Sequence, residues 1–188
     1  KPLKWLNFNY THAWLNSNIA DSSLSYFTNT GRIDNDFRLV FVQKYLATHS
    51  IEVQAMKGLN IAIGESIVYS DKMDPGFLIP INLFKFYDNN RSNYLIEAGS
   101  NGQYFLSLSS RNQIKNTHLY STLFIDEIKV SSILNKTEKR NQLGYNLGGS
   151  ITDIIIPYLS LGAEYTRVNP FVYSNLIPAQ AYTSYNYS

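Results

Sequence analysis

The chain has 188 residues, is 44% hydrophobic, 14% aromatic and only 16% charged, carries a net charge of +2 and contains no cysteine. That length suits one domain, at most two. The near-neutral balance leaves no basic face for nucleic acid, the hydrophobic content excludes disorder, and the absent cysteine excludes a disulfide scaffold and a cysteine-held metal. No run of about 18 apolar residues is present, so no transmembrane helix is expected. The start, from Lys1 to Phe8, lacks the charged-then-apolar layout of a signal peptide, which implies a protein that is not exported or a mature or partial chain.

The first element alternates strictly. Leu6, Phe8, Tyr10, His12 and Trp14 form an apolar row, and Asn7, Asn9, Thr11 and Ala13 a polar or small one. Period-2 alternation is the signature of a strand with one greasy and one wet face. The stretch from Asp21 to Asp36 is rich in Ser, Asn, Thr and Asp and reads as an exposed loop. Phe37 to Val42 is apolar on both faces.

Alternation returns with Tyr45, Ala47, His49, Ile51 and Val53 against Thr48, Ser50, Glu52 and Gln54. Lys57-Gly58 signals a turn. Leu59, Ile61, Ile63, Ile67 and Tyr69 then oppose Asn60, Ala62, Gly64 and Ser66, which predicts a hairpin of long strands. Glu65 interrupts the apolar row, so it must lie beyond the greasy band or be paired. Ser70 to Pro80 reads as a loop. Phe77 to Tyr87 is apolar all round and fits a short helix, a strand or a plug inside a barrel. Asp88 to Asn93 is a further loop.

Gln103 to Ser109 and Leu119 to Ile128 are the next strands, around a polar turn from Asn112 to Thr117. Ser131 to Lys139 is a longer polar loop. Leu143, Tyr145, Leu147, Gly149 and Ile151 then alternate with Gln142, Gly144, Asn146, Gly148 and Ser150. Leu159, Leu161, Ala163 and Tyr165 alternate with Ser160, Gly162, Glu164 and Thr166. From Asn169 the pattern dissolves. The reading is seven or eight strands, no convincing amphipathic helix and one domain over 1–188.

A soluble sandwich also alternates, but its wet face is rich in Lys, Glu and Thr, and its strands run to about five or six residues. Here the polar rows are mostly Asn, Ser, Gly, Thr and Gln, and the strands approach the nine to eleven residues, roughly, of a tilted membrane crossing. The fold class implied is all-β: a transmembrane antiparallel β-barrel, in the bacterial outer membrane, with lipid and lipopolysaccharide around it. Tyr10, Trp14, Tyr45, Tyr69, Tyr145 and Tyr165 lie near strand ends or on greasy rows, where interface aromatics belong.

No catalytic constellation emerges, and an enzyme is not expected. His12, His49 and His118 have no second ligand at metal spacing and read as packing or interface histidines; no metal and no cofactor is expected. Gly144-x-x-x-Gly148-Gly149 lies inside an alternating strand and reads as space for a bend or a lumen rather than a phosphate loop. Asp126, Glu127 and Glu164 read as partners of Arg111, Arg140 and Arg167 in a lumen charge network that also takes in Glu65, because charge inside a membrane must be paired or wet.

Three stretches carry a resemblance: Gly58-Leu-Asn-Ile-Ala-Ile-Gly-Glu-Ser-Ile-Val-Tyr-Ser70, Leu119-Tyr-Ser-Thr-Leu-Phe-Ile-Asp-Glu-Ile128, and Ala163-Glu-Tyr-Thr-Arg-Val-Asn-Pro-Phe-Val-Tyr173, which continues to Ile177-Pro-Ala-Gln-Ala-Tyr-Thr183. Together they resemble the capsule-assembly Wzi-like family of Gram-negative outer-membrane proteins, in its Bacteroidota branch. The resemblance spans most of 37–187. It implies a barrel longer than this chain, of which 1–188 is a segment, and a non-catalytic, lectin-like role in attaching or assembling capsular or surface polysaccharide. No family sugar-binding residue maps onto this sequence. The loops from Asp21 to Asp36, Ser131 to Lys139 and Asn169 to Tyr187 are the candidate glycan contacts, with Lys57-Gly58 on the periplasmic side. Two other readings stay open: an accessory barrel in a larger envelope secretion or transport complex, and a passive porin.

Overall fold

The computed structural model describes residues 3–28, 36–94, 100–127, 142–154 and 156–183. Its strands follow from the alternating rows. β1 (Leu6–Leu15), β4 (Lys44–Met56), β5 (Leu59–Ser70), β6 (Asn101–Arg111), β7 (Thr117–Glu127), β8 (Gln142–Thr152) and β9 (Ser160–Val168) form one seven-stranded antiparallel sheet in that order. Between β1 and β4, the two-residue strand β2 (Tyr26–Phe27), inside the stretch expected to be loop, pairs with β3 (Phe37–Arg38), just beyond it. The chain is mostly β, as the alternation requires. The sheet is open: β1 and β9 are its two edges.

Register keeps each greasy row aligned with the next. Phe8 lies opposite Ile51, Ile51 opposite Ile63, and Ile63 opposite Leu106. Leu106 lies opposite Leu123, Leu123 opposite Tyr145, and Leu147 opposite Tyr165. Because side chains alternate with a period of two, such a register places every apolar row on one face of the sheet. The other face carries the small and neutral polar rows with two aromatic rings among them: Asn9, Ser50, Gly64, Phe105, Phe124 and Gly144 lie in line.

The two ends of the sheet differ. At one end the connections are 57–58, 112–116 and 153–159; at the other they are 16–43, 71–100 and 128–141. The Lys57-Gly58 turn joins Met56 to Leu59 directly. Gly58 has φ 83°, and a Cβ there would stand 2.2 Å from the Arg111 carbonyl oxygen, so glycine is required. The short turns also bind one another: Arg111 N–H donates to the Gly58 carbonyl at 2.6 Å, and Thr152 N–H to the Asn116 carbonyl at 3.0 Å.

The long connection after β5 is structured. A 3-10 turn (Pro75–Leu78) and helix α1 (Phe84–Tyr94) fold back onto the apolar face at the long-connection end. Phe77 and Phe84 pack there against Tyr45, Ala47, Ile67 and Tyr69 in the main buried cluster, with Tyr10 and Tyr87 at its margin. The Phe77 to Tyr87 stretch therefore does not plug a barrel lumen. It covers part of the greasy face, because Phe77 and Phe84 find their apolar partners there. α1 takes the short-helix alternative for the end of that stretch and runs on through Asp88 to Asn93, which corrects the loop expected there.

The segment after β9 takes the opposite face. Residues 169–183 run along the polar side, with Val172, Ala179, Gln180 and Ala181 buried. Wall side chains hold them by their main chain. Gln103 Nε2 donates to the Val172 carbonyl at 2.6 Å, Lys44 Nζ to the Thr183 carbonyl at 2.9 Å and to the Ala181 carbonyl. Gln180 Nε2 reaches Ser70 Oγ at 3.4 Å. The polar face thus carries a strap of the chain itself.

Candidate functional site

Where the strap leaves β9, it and the ends of β6, β7 and β8 enclose a cavity of about 910 Å³. Small-molecule sites span about 300–1,000 Å³ and combine apolar walls with a few fixed polar groups. Asp126, Asn101 and Gln142 come from the strand ends, Phe171 and Tyr173 from the strap, and Lys85 from α1. Asp126 is 9% exposed. Lys85 Nζ is fixed on the Gly102 carbonyl at 2.9 Å, and Asn101 Nδ2 points to the Ser174 carbonyl at 3.5 Å. Phe171 adopts φ 71° and leaves 59% of its surface open.

Such a lining suits a hydroxyl-rich ligand. A carboxylate and amides accept and donate hydrogen bonds to hydroxyls, and an open aromatic ring offers an apolar face. One carboxylate and one ammonium give the cavity no dominant charge. The stretches 119–128, 163–173 and 177–183 supply Asp126, Asn169, Phe171, Tyr173 and Ala181 of this lining.

The described members of the expected lumen charge network are spread over both faces and both ends of the sheet. Glu65 lies on the apolar face, opposite His49 and Tyr104, and is buried. It is paired, as an interruption of a greasy row must be. His49 Nε2 stands 3.2 Å from Glu65 Oε1, and the Phe84 and Lys85 N–H groups donate to its carboxylate at 2.5 and 3.3 Å. Glu65 is thus an N-terminal cap for α1, delivered from a strand. The carboxylate satisfies helix donors that have no partner within the helix and faces the positive end of its dipole.

Arg167 is also on the apolar side, opposite Tyr145. Its odd parity with Tyr165 puts it there, away from Glu164. Glu164 lies on the polar face, exposed, and accepts from Tyr120 Oη at 2.6 Å. The partner is a neutral phenol, made possible by a glycine. A Cβ on Gly148 would meet the Tyr120 ring at 2.2 Å. Arg111 is exposed beside the short turns, far along the sheet from Asp126. Arg140 and the loop from Ser131 to Lys139 lie outside the described residues; Glu127 is described as the last residue of β7. Salt bridges His49–Glu65 and Arg91–Asp74 both lie at the packing of the β5–α1 connection.

The aromatics split likewise. Tyr45 and Tyr69 are each 3% exposed, stacked on one another at 5.1 Å between ring centroids and capped by Phe77. They belong to a protein core, not to an open girdle. Tyr10 donates its hydroxyl to the Phe77 carbonyl at 2.8 Å at the margin of that core. Trp14 and Tyr165 are exposed on the apolar face, and Tyr145 pairs with Tyr165 at 6.1 Å. His12 packs edge-on to Trp14 at 5.0 Å and shares a hydrogen bond with Tyr69 Oη at 2.9 Å, as a packing histidine should. No group of three or more metal-ligating side chains occurs among the described residues, and no helix among them is long and apolar enough to cross a membrane.

Sequence reasoning found Asp126, though as part of a salt-bridge network. It took in Phe171 only within the candidate loop from Asn169 to Tyr187 and missed the amides Asn101 and Gln142, because the strap that gathers them comes from far along the chain. Comparison with known protein families, curated proteins and solved structures gave no match.

Proposed function

We propose that this chain is part of the wall of an outer-membrane β-barrel that helps attach or organise surface polysaccharide, without catalysis. One observation carries the membrane part. Ile51, Ile63, Leu106, Leu119, Leu147 and Leu161, contributed by six strands, share one face of the sheet and are all exposed. An apolar face this extensive is foreign to a water-soluble monomer and natural against lipid. Strands of nine to 13 residues reach across a bilayer. Gathering the long connections at one end matches barrels, whose periplasmic turns are short and outer loops long. The cavity then opens on the outer side.

The polysaccharide part rests on that cavity and on the family resemblance of the stretches that line it. Sugar hydroxyls would bond Asp126, Asn101 and Gln142 while a pyranose face stacks on Phe171. The test is binding of purified surface polysaccharide by the detergent-solubilised protein. Asp126→Asn and Phe171→Ala should each weaken it at least tenfold without altering the unfolding midpoint; unchanged binding in both overturns the glycan reading.

The strap speaks against a passive porin, since it lies across the polar face that would line the pore. Single-channel recording should show no steady conductance. The accessory-barrel reading predicts partner proteins that copurify in fixed ratio and is separated by that measurement.

A further inference from the structure

The connection from Asp71 to Tyr94 covers part of the apolar face, yet it does not bury its own apolar surface. Phe77 and Phe84 turn inward onto Tyr45, Ile67 and Tyr69. Ile79, Ile81, Leu83 and Phe86 stay 51, 81, 63 and 67% exposed. From Pro75 to Phe84 the chain holds no charged residue. Its one polar side chain is Asn82, whose Nδ2 donates to the Gly76 carbonyl at 2.9 Å. Charges bracket the stretch, with Asp71, Lys72 and Asp74 before it and Lys85, Asp88 and Arg91 after it. Asp74 and Arg91 pair, and Lys85 Nζ is turned back onto the Gly102 carbonyl. The connection between β1 and β4 is built otherwise, with Asp21, Arg32, Asp34 and Asp36 spread along it.

The main chain is prepared for the loss of water in the same way. Pro75 and Pro80 have no N–H to satisfy. Gly76 N–H donates to Asp74 Oδ1 at 2.9 Å, Phe77 N–H to the Asp74 carbonyl at 3.1 Å and Asn82 N–H to the Ile79 carbonyl at 3.1 Å. Glu65 takes the N–H groups of Phe84 and Lys85. Unsatisfied backbone is what keeps an irregular segment out of lipid.

Height along the wall decides what meets this surface. On the apolar face β5 reads Leu59, Ile61, Ile63, Glu65, Ile67 and Tyr69 from the short-turn end. A strand tilted by about 40° climbs about 2.5 Å per residue, so the chain gains about 15 Å from Leu59 to Glu65. The apolar band of an outer-membrane barrel is about 25 Å tall. The band therefore runs on past Glu65, to the level where Ile67 and Tyr69 lie beneath the connection. At that level the outward side of the connection replaces the strands as the outer surface of the wall.

Resting on the reading of the chain as a membrane wall, we infer that 75–86 is a lipid-inserted segment, with Ile79, Ile81, Leu83 and Phe86 among the acyl chains of the leaflet on the long-connection side. Lipid contact passes from the strands to this connection above Glu65. The bracketing charges stand at the headgroups, as the polar parts of interfacial helices do.

The test places single nitroxide labels on the full natural polypeptide in phosphatidylcholine vesicles. Residues 1–188 contain no cysteine, and any cysteine elsewhere is replaced by Ser. Ile81→Cys and Phe86→Cys report the connection, Ile63→Cys the open strand face and Lys115→Cys the short turns. Labels on the first three should collide several-fold more often with oxygen, which concentrates among acyl chains, than with a water-soluble nickel chelate. The order should reverse for Lys115→Cys. Nickel access at the Ile81 and Phe86 positions, with the Ile63 position still in lipid, overturns this inference and leaves the membrane reading standing. Shielding of the Ile81 and Phe86 positions from both reagents overturns it as well, because protein then covers the connection. Nickel access at the Ile63 position ends the membrane reading itself.

Discussion

The two halves of the sheet are built from the same alternating sequence, yet they solve the burial problem differently. Around β4 and β5, at the long-connection end, protein covers both faces. The 3-10 turn and α1 lie on the apolar side, and the strap lies on the polar side. Ile67 and Val68, adjacent residues pointing to opposite faces, are both fully buried. In β9 every residue is exposed. One half carries its own core, and the other depends on what surrounds it. The same Leu, Ile and Tyr pattern therefore marks two physical situations, and only packing tells them apart.

The largest effect should come from the self-contained half. Phe84→Ala removes a fully buried ring from the cluster with Phe77 and Ile67, and such truncations cost about 3–5 kcal/mol. Leu161→Ala on β9, where the side chain is 52% exposed, should cost well under about 1 kcal/mol in detergent. Equal losses in denaturant unfolding would erase the contrast between the halves.

Glu65→Ala should cost about 3 kcal/mol, because it strands the helix N–H groups of Phe84 and Lys85 and leaves His49 without its carboxylate. Amide exchange should show α1 opening before the sheet. If α1 stays protected, the strand-borne cap is not what holds the helix.

Ile63→Lys probes what the open apolar face meets. Ile63 is 59% exposed in mid-strand. Against a bilayer midplane the charge costs about 2–4 kcal/mol; against water the change stays within about 0.5 kcal/mol. Folding into lipid vesicles, compared between variant and wild type, decides between them.

Lys44→Met removes the ammonium that holds the carbonyls of Ala181 and Thr183, and should loosen the strap by about 1–3 kcal/mol. Limited proteolysis within 169–183 should accelerate while the strands stay protected. The smallest effect is that of pH on the same segment. Burial pushes the Tyr182 phenol above its ordinary value. A group bound more tightly to its proton when folded contributes stability at pH below its unfolded value of about 10, and that contribution fades as pH rises beyond it. Strap docking should weaken in the alkaline range, and Tyr182→Phe should flatten that dependence.

The strands were legible because alternation is local. The rows through Tyr10, Ile51, Ile63 and Leu147 could be read from spacing alone, and the register places them on one face. That Glu65 either lies beyond the greasy band or is paired was legible too, and the structure pairs it. Which partner was not: His49 sits across the hairpin, and Phe84 lies 19 positions on. Arg167 could have been read correctly from its parity with Tyr165. α1 stayed one of three alternatives because Phe84-Lys-Phe-Tyr-Asp-Asn-Asn carries no strong helical stripe. The Glu65 cap and the burial of Phe84 select the helix from outside its own sequence.

Asp126 was found as a charge but not as part of a cavity, because Gln103 and Val172, which fix the strap over it, stand 69 positions apart. By itself the sequence determined an all-β chain, two-faced strands of membrane-crossing length and the tight turn at Gly58, all set by neighbours within a few residues. The tertiary structure decided which parts of the apolar face the protein covers for itself, where the strap lies and which groups meet in the cavity. Those outcomes depend on main-chain carbonyls, buried rings and strand direction meeting across long separations, and a one-dimensional pattern holds no record of such meetings.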